Sequence, residues 1–139
     1  MLSDDELREI YSEARTIAVV GASTDPAKPA HNIPRYLQSQ GYRIIPITPR
    51  GGELLGERAY TALAEVPVDV DVVNVFRPSD EIPELARQAV AIGAKVLWTQ
   101  TGIFSDEGAR IAEDGGLKVA MGICMGVTHH RLGLGPSPD

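Results

Sequence analysis

TIAVVGAS, at positions 16–23, is the stretch that decides the fold this sequence predicts. Thr16–Val20 is a short apolar run rich in β-branched residues, which is typical of a strand buried on both faces. The run ends at Gly21, and polar residues follow directly. A buried strand that leads into a glycine loop and then into a helix is typical of the first unit of a parallel α/β sheet.

Four further apolar runs follow, and they alternate with segments in which apolar residues recur at helical spacing. The predicted strands cover residues 42–47, 70–75, 95–98 and 117–121. Predicted helices begin after Ser3, near Ile33, after Ser79 and after Ser105, where polar cap residues or acidic first turns occur. This alternation predicts an α/β fold: a Rossmann-like, doubly wound parallel sheet of about five strands, with helices on both faces.

The length of 139 residues suits one domain over residues 1–139. We divide it into an N-terminal helix at 1–15, a core at 16–126 and a C-terminal tail at 127–139. Pro34 is expected in the first turn of its helix, where its missing N–H costs little. Residues 53–67 are expected to form a short crossover with one helical turn near 61–65.

The composition limits the partners of this chain. A net charge of −6 and a pI near 5.0 disfavour nucleic acid and anionic membranes, because both attract clustered positive charge. No apolar run approaches the ~20 residues of a membrane span. The single Cys124 excludes an internal disulfide, as is typical of a reducing compartment. We therefore expect a cytoplasmic protein that binds a small molecule, with no nucleic acid and no membrane as partner.

Ligands of doubly wound sheets bind beyond the carboxyl ends of the strands, beside the point where the strand order reverses. This rule selects the loops at 21–32, 48–52, 76–79 and 99–104. The first loop opens with Gly21, Ala22, Ser23 and Thr24. The glycine lets a phosphate approach the backbone, and the two hydroxyls offer donors to an anion. The full G-x-G-x-x-G pattern is missing, so a plain polar turn is the alternative.

Basic and polar residues near the first two loops add to this interpretation. Lys28 is placed to act as a point charge on phosphates, and His31 or Asn32 to hydrogen-bond to them from the helix start. Pro49 and Arg50 follow the second predicted strand, where an NAD site has an acidic residue instead. An arginine there suits a phosphorylated ribose, which NADP and coenzyme A both have, unless it is simply a solvated surface arginine.

The next two predicted strands lead into further candidate binding residues. These are Phe76, Arg77 and Pro78 after the third strand, and Gln100, Thr101 and Gly102 after the fourth. Arg77 is placed to hold either a diphosphate or a neighbouring carboxylate. The loop after the fourth strand leaves room for a ligand chain and offers hydrogen bonds to its amides, although any soluble α/β domain needs a polar loop here.

Cys124 follows the last predicted strand, near the mouth of the expected cleft. A catalytic or redox thiol needs an activating partner, and the spacing places none, so a buried structural cysteine is favoured. His129 and His130 are adjacent and have no further ligands around them. The sequence therefore predicts no catalytic residue and no metal site.

Several of these segments together resemble a known family. They are VVGAS at 19–23 with Pro26 and Lys28, IPITPR at 45–50, DVVNVFRP at 71–78, GAK at 93–95 and the segment around Cys124. Over residues 16–132 the chain resembles the small stand-alone CoA-binding domain proteins, which are similar to the amino-terminal domain of the succinyl-CoA synthetase α subunit. It departs from them at Gly122 and Gly126, near the expected thiol end of the site.

The resemblance implies coenzyme A as the cofactor, bound in the cleft of the four loops. It places residues 21–24 near the diphosphate, and Lys28 and Arg50 near the nucleotide phosphates. Residues 76–78 and 100–102 would line the path of the adenosine and pantetheine portions. The synthetases use a phosphorylated histidine in a further domain, which this chain is too short to carry, so their ligase activity is not transferred.

Three functions stay open at the level of the sequence. The first is a protein that binds CoA or acyl-CoA without evident catalytic machinery, with a protein partner or a homo-oligomer as further possibilities. The second is a small NADP-dependent oxidoreductase, which Arg50 would suit. The third is a redox switch in which Cys124 forms a mixed disulfide with CoA.

Overall fold

The computed structural model describes residues 2–137, and its seven strands form two sheets. The strands are β1 Thr16–Val20, β2 Arg43–Ile47, β3 Gly52–Leu54, β4 Glu57–Ala59, β5 Val72–Val75, β6 Val96–Thr99 and β7 Lys118–Ala120. Five of them form a parallel sheet in the order β2-β1-β5-β6-β7, and β3 pairs with β4 in a hairpin. The predicted Rossmann-like fold is confirmed, and the predicted strand ends differ from these by at most two residues.

The strand order reverses at β1. β1 pairs with β2 on one side and with β5 on the other, so the chain turns outward after β1 and crosses back over it to reach β5. The carboxyl ends of all three strands coincide, because Val20 pairs with both Ile47 and Val75. A crevice for ligands is expected at this end of the sheet.

Helices cover both faces of the sheet. They are α1 Asp4–Glu13, α2 Pro29–Ser39, α3 Ile82–Ala91, α4 Asp106–Asp114 and α5 Met125–Arg131. Buried residues of α1, α2 and α5 form one apolar cluster with Val19 and Trp98. Buried residues of α3 and α4 form a second cluster with Ala18 and Leu97. Successive strand residues thus enter opposite clusters, which explains why the strands are apolar without alternation.

The helix starts follow the predicted caps in two of three cases. Ser3 and Glu6 form a capping box at α1, and Ser105 Oγ accepts a hydrogen bond from Gly108 N at 3.0 Å at α4. The predicted cap at Ser79 is wrong, because Ser79 opens a 3₁₀ turn at Ser79–Glu81. Its hydroxyl accepts from Phe104 N at 3.2 Å instead, and this bond connects the loops after β5 and β6.

The expected position of Pro34 is also wrong. α2 begins at Pro29, so Pro34 is its sixth residue and lies in the helix interior. The first turn is already provided by Pro29, whose fixed φ is favourable there. Pro34 leaves the carbonyl of Ala30 without its helical donor, and this carbonyl accepts from Ser23 N at 3.1 Å.

Two segments differ from the sequence prediction in their secondary structure. The crossover expected at 53–67 contains the hairpin β3–β4, whose turn residues Leu55 and Gly56 both have positive φ, and then a 3₁₀ turn at Leu63–Glu65. The boundary drawn between core and tail falls inside α5, where Thr128 and His129 are buried.

The C-terminal segment folds back onto the protein. Ser137 N donates to Gln40 O at 2.5 Å, and residues 138 and 139 of the predicted tail lie outside the described residues. Within residues 2–137, no helix has the length and apolar character needed to cross a bilayer.

Candidate functional site

Two adjoining cavities lie at the carboxyl ends of the strands. We call the first, of about 450 Å³, the polar cavity; its lining is Gly21, Ala22, Ser23, Thr24, Lys28, Thr48, Pro49, Arg50, Gly51, Glu53 and Leu54. We call the second, of about 510 Å³, the apolar cavity; its lining is Lys28, Pro29, Ala30, Ile33, Phe76, Gln100, Thr101, Ile103, Cys124 and Val127. Lys28 lines both, so one extended molecule could occupy the two together.

Gly21 sets the shape of the polar cavity. Its φ of +87° lies in the left-handed region, and its N–H donates to Ile47 O at 3.0 Å. A Cβ at this position would lie 2.8 Å from the carbonyl oxygen of Phe76. The glycine therefore lets the loop after β1 lie directly against the loop after β5.

The residues that follow Gly21 form a compact loop that bonds to itself and to α2. Asp25 N donates to Ser23 Oγ at 3.0 Å, and Ala27 N donates to Asp25 Oδ1 at 2.9 Å. His31 Nδ1 lies 2.7 Å from Ser23 O, and Asn32 Nδ2 donates to Pro26 O at 2.7 Å. His31 and Asn32 thus hold the loop, and neither lines the two cavities.

The structure brings Pro49 and Arg50 beside this loop, as the sequence predicted. Arg50 is exposed in the loop after β2, and it lines the polar cavity together with Gly21 and Ser23. The hairpin adds Glu53 and Leu54, which sequence reasoning missed because it interpreted residues 53–67 as a crossover. The cavity therefore has two basic side chains and one acidic side chain in its lining, within a chain of net charge −6.

The candidate residues after β5 have different roles: one lines a cavity, and another forms an ion pair. Phe76 lines the apolar cavity, but Arg77 and Pro78 line neither one. Arg77 donates to Glu81 through Nε at 3.1 Å and through its terminal nitrogen at 2.7 Å. This pairing raises the pKa of Arg77 and lowers that of Glu81. Of the two partners considered for Arg77, the structure shows the neighbouring carboxylate.

Gln100 lines the apolar cavity, but its amide is engaged with the protein. Its Nε2 donates to Asn74 Oδ1, and its Oε1 accepts from Met125 N at 3.4 Å. Asn74 lies fully buried in β5 and was not considered as part of the site, because an isolated polar residue in an apolar run gives no signal of its partner. Gln100 thus connects β5 to the start of α5, while Thr101 faces the cavity and Gly102 turns the loop with a φ of +80°.

Cys124 is the N-cap residue of α5, and His129 lies within the helix. Cys124 is half-buried and lines the apolar cavity, with its Sγ 3.5 Å from Val127 N at the helix start. The fully buried cysteine that the sequence favoured is therefore not observed. His129 is 1% exposed, contacts Tyr36 Oη through Nδ1 at 2.8 Å, and has its pKa lowered by burial. Residues 2–137 contain no group of three metal-ligating side chains.

The fold and the cavities define a class of protein, namely a Rossmann-like α/β protein with its site beside the reversal of strand order. The family comparison gives the same class a name. The model of the CoA binding domain matches residues 15–130, which is most of the chain. The chain belongs to the CoA-binding domain family, as its sequence motifs predicted.

Three similar proteins illustrate the range of this family. YneT of Bacillus subtilis, an uncharacterized protein, is 36% identical over 127 residues, or 91% of this chain and 94% of YneT. A solved Thermus thermophilus protein, cell-free ID.343, has a TM-score of 0.90 and 41% identity, covering 94% of this chain and 99% of that one. The alpha subunit of ADP-forming acetate-CoA ligase II of Pyrococcus furiosus is 28% identical over 137 residues, or 89% of this chain and 30% of the subunit.

The family thus includes small proteins of about this length and a part of larger ligases. The chain spans nearly all of YneT but less than a third of the ligase subunit. These relatives lend no support to the NADP-dependent oxidoreductase or to the Cys124 redox switch that the sequence left open.

Proposed function

We propose that this chain binds coenzyme A or acyl-CoA and presents it to a partner, and that the chain by itself catalyses no reaction of the ligand. The observation that carries the proposal is the pair of adjoining cavities, one polar and one apolar, that share Lys28. Coenzyme A has two matching halves, a phosphorylated nucleotide and a flexible pantetheine arm. The family assignment supports the same ligand.

The polar cavity suits the nucleotide half. Lys28 and Arg50 are both exposed on its lining, so their charges are free to meet phosphates that arrive from solvent. α2 begins at the same place, and Lys28 at its N-cap makes no side-chain cap bond. An uncapped helix N-terminus favours an anion, which suits the diphosphate beside residues 21–24. Arg50, at the end of β2, then suits the 3′-phosphate of the ribose.

The apolar cavity suits the pantetheine half. Ile33, Phe76 and Ile103 provide apolar walls, and Val127 is 62% exposed at the rim. Covering such side chains contributes about 25 cal/mol per Å² of apolar surface removed from water. Thr101 offers a hydrogen bond to an amide of the arm, and Gln100 supports the wall through Asn74 and Met125. In this arrangement the thiol or thioester end lies toward α5.

A partner protein would supply any chemistry on the thioester. In the ligases, the region that matches this chain is a part of a longer protein. We propose that this cytoplasmic chain works in a comparable way with a separate protein or with a second copy of itself.

The experiment that tests this function is calorimetric titration of the purified chain with CoA, dephospho-CoA and NADP. Arg50→Ala should weaken CoA binding by about 1.5 to 3 kcal/mol, or about 10- to 150-fold, if Arg50 makes a charge-assisted phosphate contact. The variant should bind dephospho-CoA as the natural chain does, because that ligand lacks the 3′-phosphate.

Arg43→Ala is the matched control. Arg43 is an exposed arginine like Arg50, but it is the first residue of β2 and lies at the end of the strand away from the cavities. Heat with NADP and none with CoA would overturn the proposed function. An Arg50→Ala variant with unchanged CoA affinity would remove Arg50 from the site and leave the cofactor standing.

A further inference from the structure

Ser23 is held at both of its backbone groups by the first turns of α2. Its N–H donates to Ala30 O at 3.1 Å, and its carbonyl oxygen lies 2.7 Å from His31 Nδ1. Ser23 lies in the loop after β1, directly before the exposed Thr24, and it lines the polar cavity. The backbone of this loop is therefore fixed by the helix that follows it.

Pro34 makes the first of these two bonds available. In a regular helix the carbonyl of residue 30 accepts from the N–H of residue 34, and proline has no N–H. Pro34 is buried in α2, and the carbonyl of Ala30 accepts from Ser23 instead. An interior proline normally destabilises a helix, but here the carbonyl that it leaves unbonded has a partner in the loop.

His31 makes the second bond through its Nδ1 atom, which must carry a hydrogen. A carbonyl oxygen only accepts hydrogen bonds, so Nδ1 of His31 carries the hydrogen and donates it to Ser23 O. The main chain of His31 is fixed as well, because its N–H donates to Lys28 O at 3.0 Å. The ring is thus held in one orientation, and Nδ1 is used inside the protein.

We infer that His31 is a positioning residue for the diphosphate of the ligand and that it acts through the carbonyl of Ser23, with Pro34 securing the N–H of the same residue. This inference rests on the proposed function, which places the diphosphate beside residues 21–24. A loop that is already in its binding conformation loses less conformational entropy when the ligand arrives, so the two bonds increase affinity without touching the ligand.

Three substitutions at His31 distinguish this role from a direct contact with phosphate. Asparagine places an amide N–H where Nδ1 lies, whereas glutamine places one where Nε2 lies. Positioning through Ser23 predicts that His31→Asn keeps the CoA affinity, and that His31→Gln and His31→Ala weaken it by about 3- to 10-fold, the worth of one hydrogen bond. A direct contact from Nε2 predicts the opposite order, with glutamine retaining the affinity and asparagine losing it.

Amide hydrogen exchange of the ligand-free chain provides a second readout that does not depend on CoA. The Ser23 amide should exchange faster in Pro34→Ala, because residue 34 then has an N–H that competes for Ala30 O. The same variant should bind CoA more weakly than the natural chain. His130→Asn is the control, since His130 is an exposed histidine of α5 and its loss should alter neither readout.

The outcomes separate the inference from the function on which it rests. If the natural chain binds CoA and all three His31 variants bind it equally well, the positioning role is wrong and the proposed function stands. If glutamine rescues and asparagine does not, the positioning role is also wrong. If the natural chain shows no binding of CoA, the proposed function fails, and the role of His31 toward a diphosphate fails with it.

Discussion

At the scale of single residues, Gly21 shows how one backbone angle shapes the site. Two separate features require glycine here. One is its positive φ, and the other is that a Cβ at this position would lie only 2.8 Å from the carbonyl oxygen of Phe76. Gly52 has a similar φ of +86°, but nothing lies within 4 Å of the place where its Cβ would be. The two positions therefore differ in close approach and not in backbone angle.

Gly21→Ala should lower the free energy of unfolding by about 2 to 6 kcal/mol, because it combines a strained backbone with an overpacked contact. Gly52→Ala should cost only the backbone part, about 1 to 3 kcal/mol. Urea unfolding followed by circular dichroism measures both values. Equal costs for the two variants would show that the loops after β1 and β5 separate easily to admit the side chain.

Residue types were easier to predict from the sequence than their partners. Lys28, Pro49 and Arg50 line the polar cavity, and their role toward phosphates stays a prediction. Arg77 lies in the loop after β5 and His31 in the first turn of α2, and each bonds to a neighbour in its own part of the chain. A sequence shows that a polar side chain is near a loop, but the direction of that side chain depends on backbone turns that only the folded chain defines.

At the scale of elements, α5 is a short helix whose His129 packs among aromatic side chains. The rings of Tyr11, Tyr36 and Tyr42 lie edge-on to the imidazole, at centroid distances of 5.3 to 5.9 Å. Tyr11 Oη also donates to Met125 O at 2.5 Å, at the first residue of the helix. These contacts attach α5 to α1, to α2 and to Tyr42 directly before β2, and Val127 of α5 lines the apolar cavity.

This environment predicts a pH dependence of stability. Burial lowers the pKa of His129 below its ordinary 6.5, the nearby charge of His130 acts in the same direction, and the backbone of Gly135 acts against them. The unfolded chain therefore binds a proton more readily than the folded chain. The stabilisation is complete above pH 6.5 and is lost as the pH falls below that value toward the lowered pKa.

The measurement is the free energy of unfolding in urea between pH 5.0 and 7.5, a range in which ordinary carboxylates stay ionised. The natural chain should be less stable at the acidic end. His129→Phe keeps an aromatic ring but cannot titrate, so its stability should vary less with pH. His130→Gln removes only the smallest of the causes that act on His129, so this variant should keep most of the pH dependence of the natural chain. A His129→Phe variant with the full pH dependence would refute the assignment to His129.

The elements that sequence reasoning found are those with a simple periodic signal. The five strands of the sheet are nearly continuous apolar runs, and the capped helices α1 and α4 begin at serine. The hairpin was missed because its turn has Leu55 before Gly56, where asparagine or aspartate is the usual signal. The helix α5 was missed because its seven residues include two histidines and an arginine, which resemble a polar tail until His129 is seen to be buried.

At the scale of the whole molecule, the parallel sheet gathers the site from segments that are far apart in sequence. The polar cavity comes from the loops after β1 and β2 and from the hairpin, and the apolar cavity from α2, α5 and the loops after β5 and β6. Lys28, the residue directly before α2, lines both cavities, whereas α2 itself lines only the apolar cavity. The reversal of strand order at β1 thus places two chemically different cavities side by side.

This arrangement predicts how fragments of the ligand behave. Adenosine 3′,5′-bisphosphate should bind in the polar cavity and pantetheine in the apolar cavity, so saturation with one should not exclude the other. CoA should bind about 100- to 10,000-fold more tightly than either fragment, because the second half arrives already tethered. Competition calorimetry measures these affinities directly.

Lys28→Ala separates the contributions of the two cavities. It should weaken the bisphosphate and CoA, which carry phosphate charge, and leave pantetheine unchanged, because a neutral arm has no charge for Lys28 to pair with. Mutual exclusion of the two fragments would mean that both enter one cavity. In that case the two cavities would act as a single site around Lys28. The proposed path of CoA from the polar cavity to α5 would then be wrong.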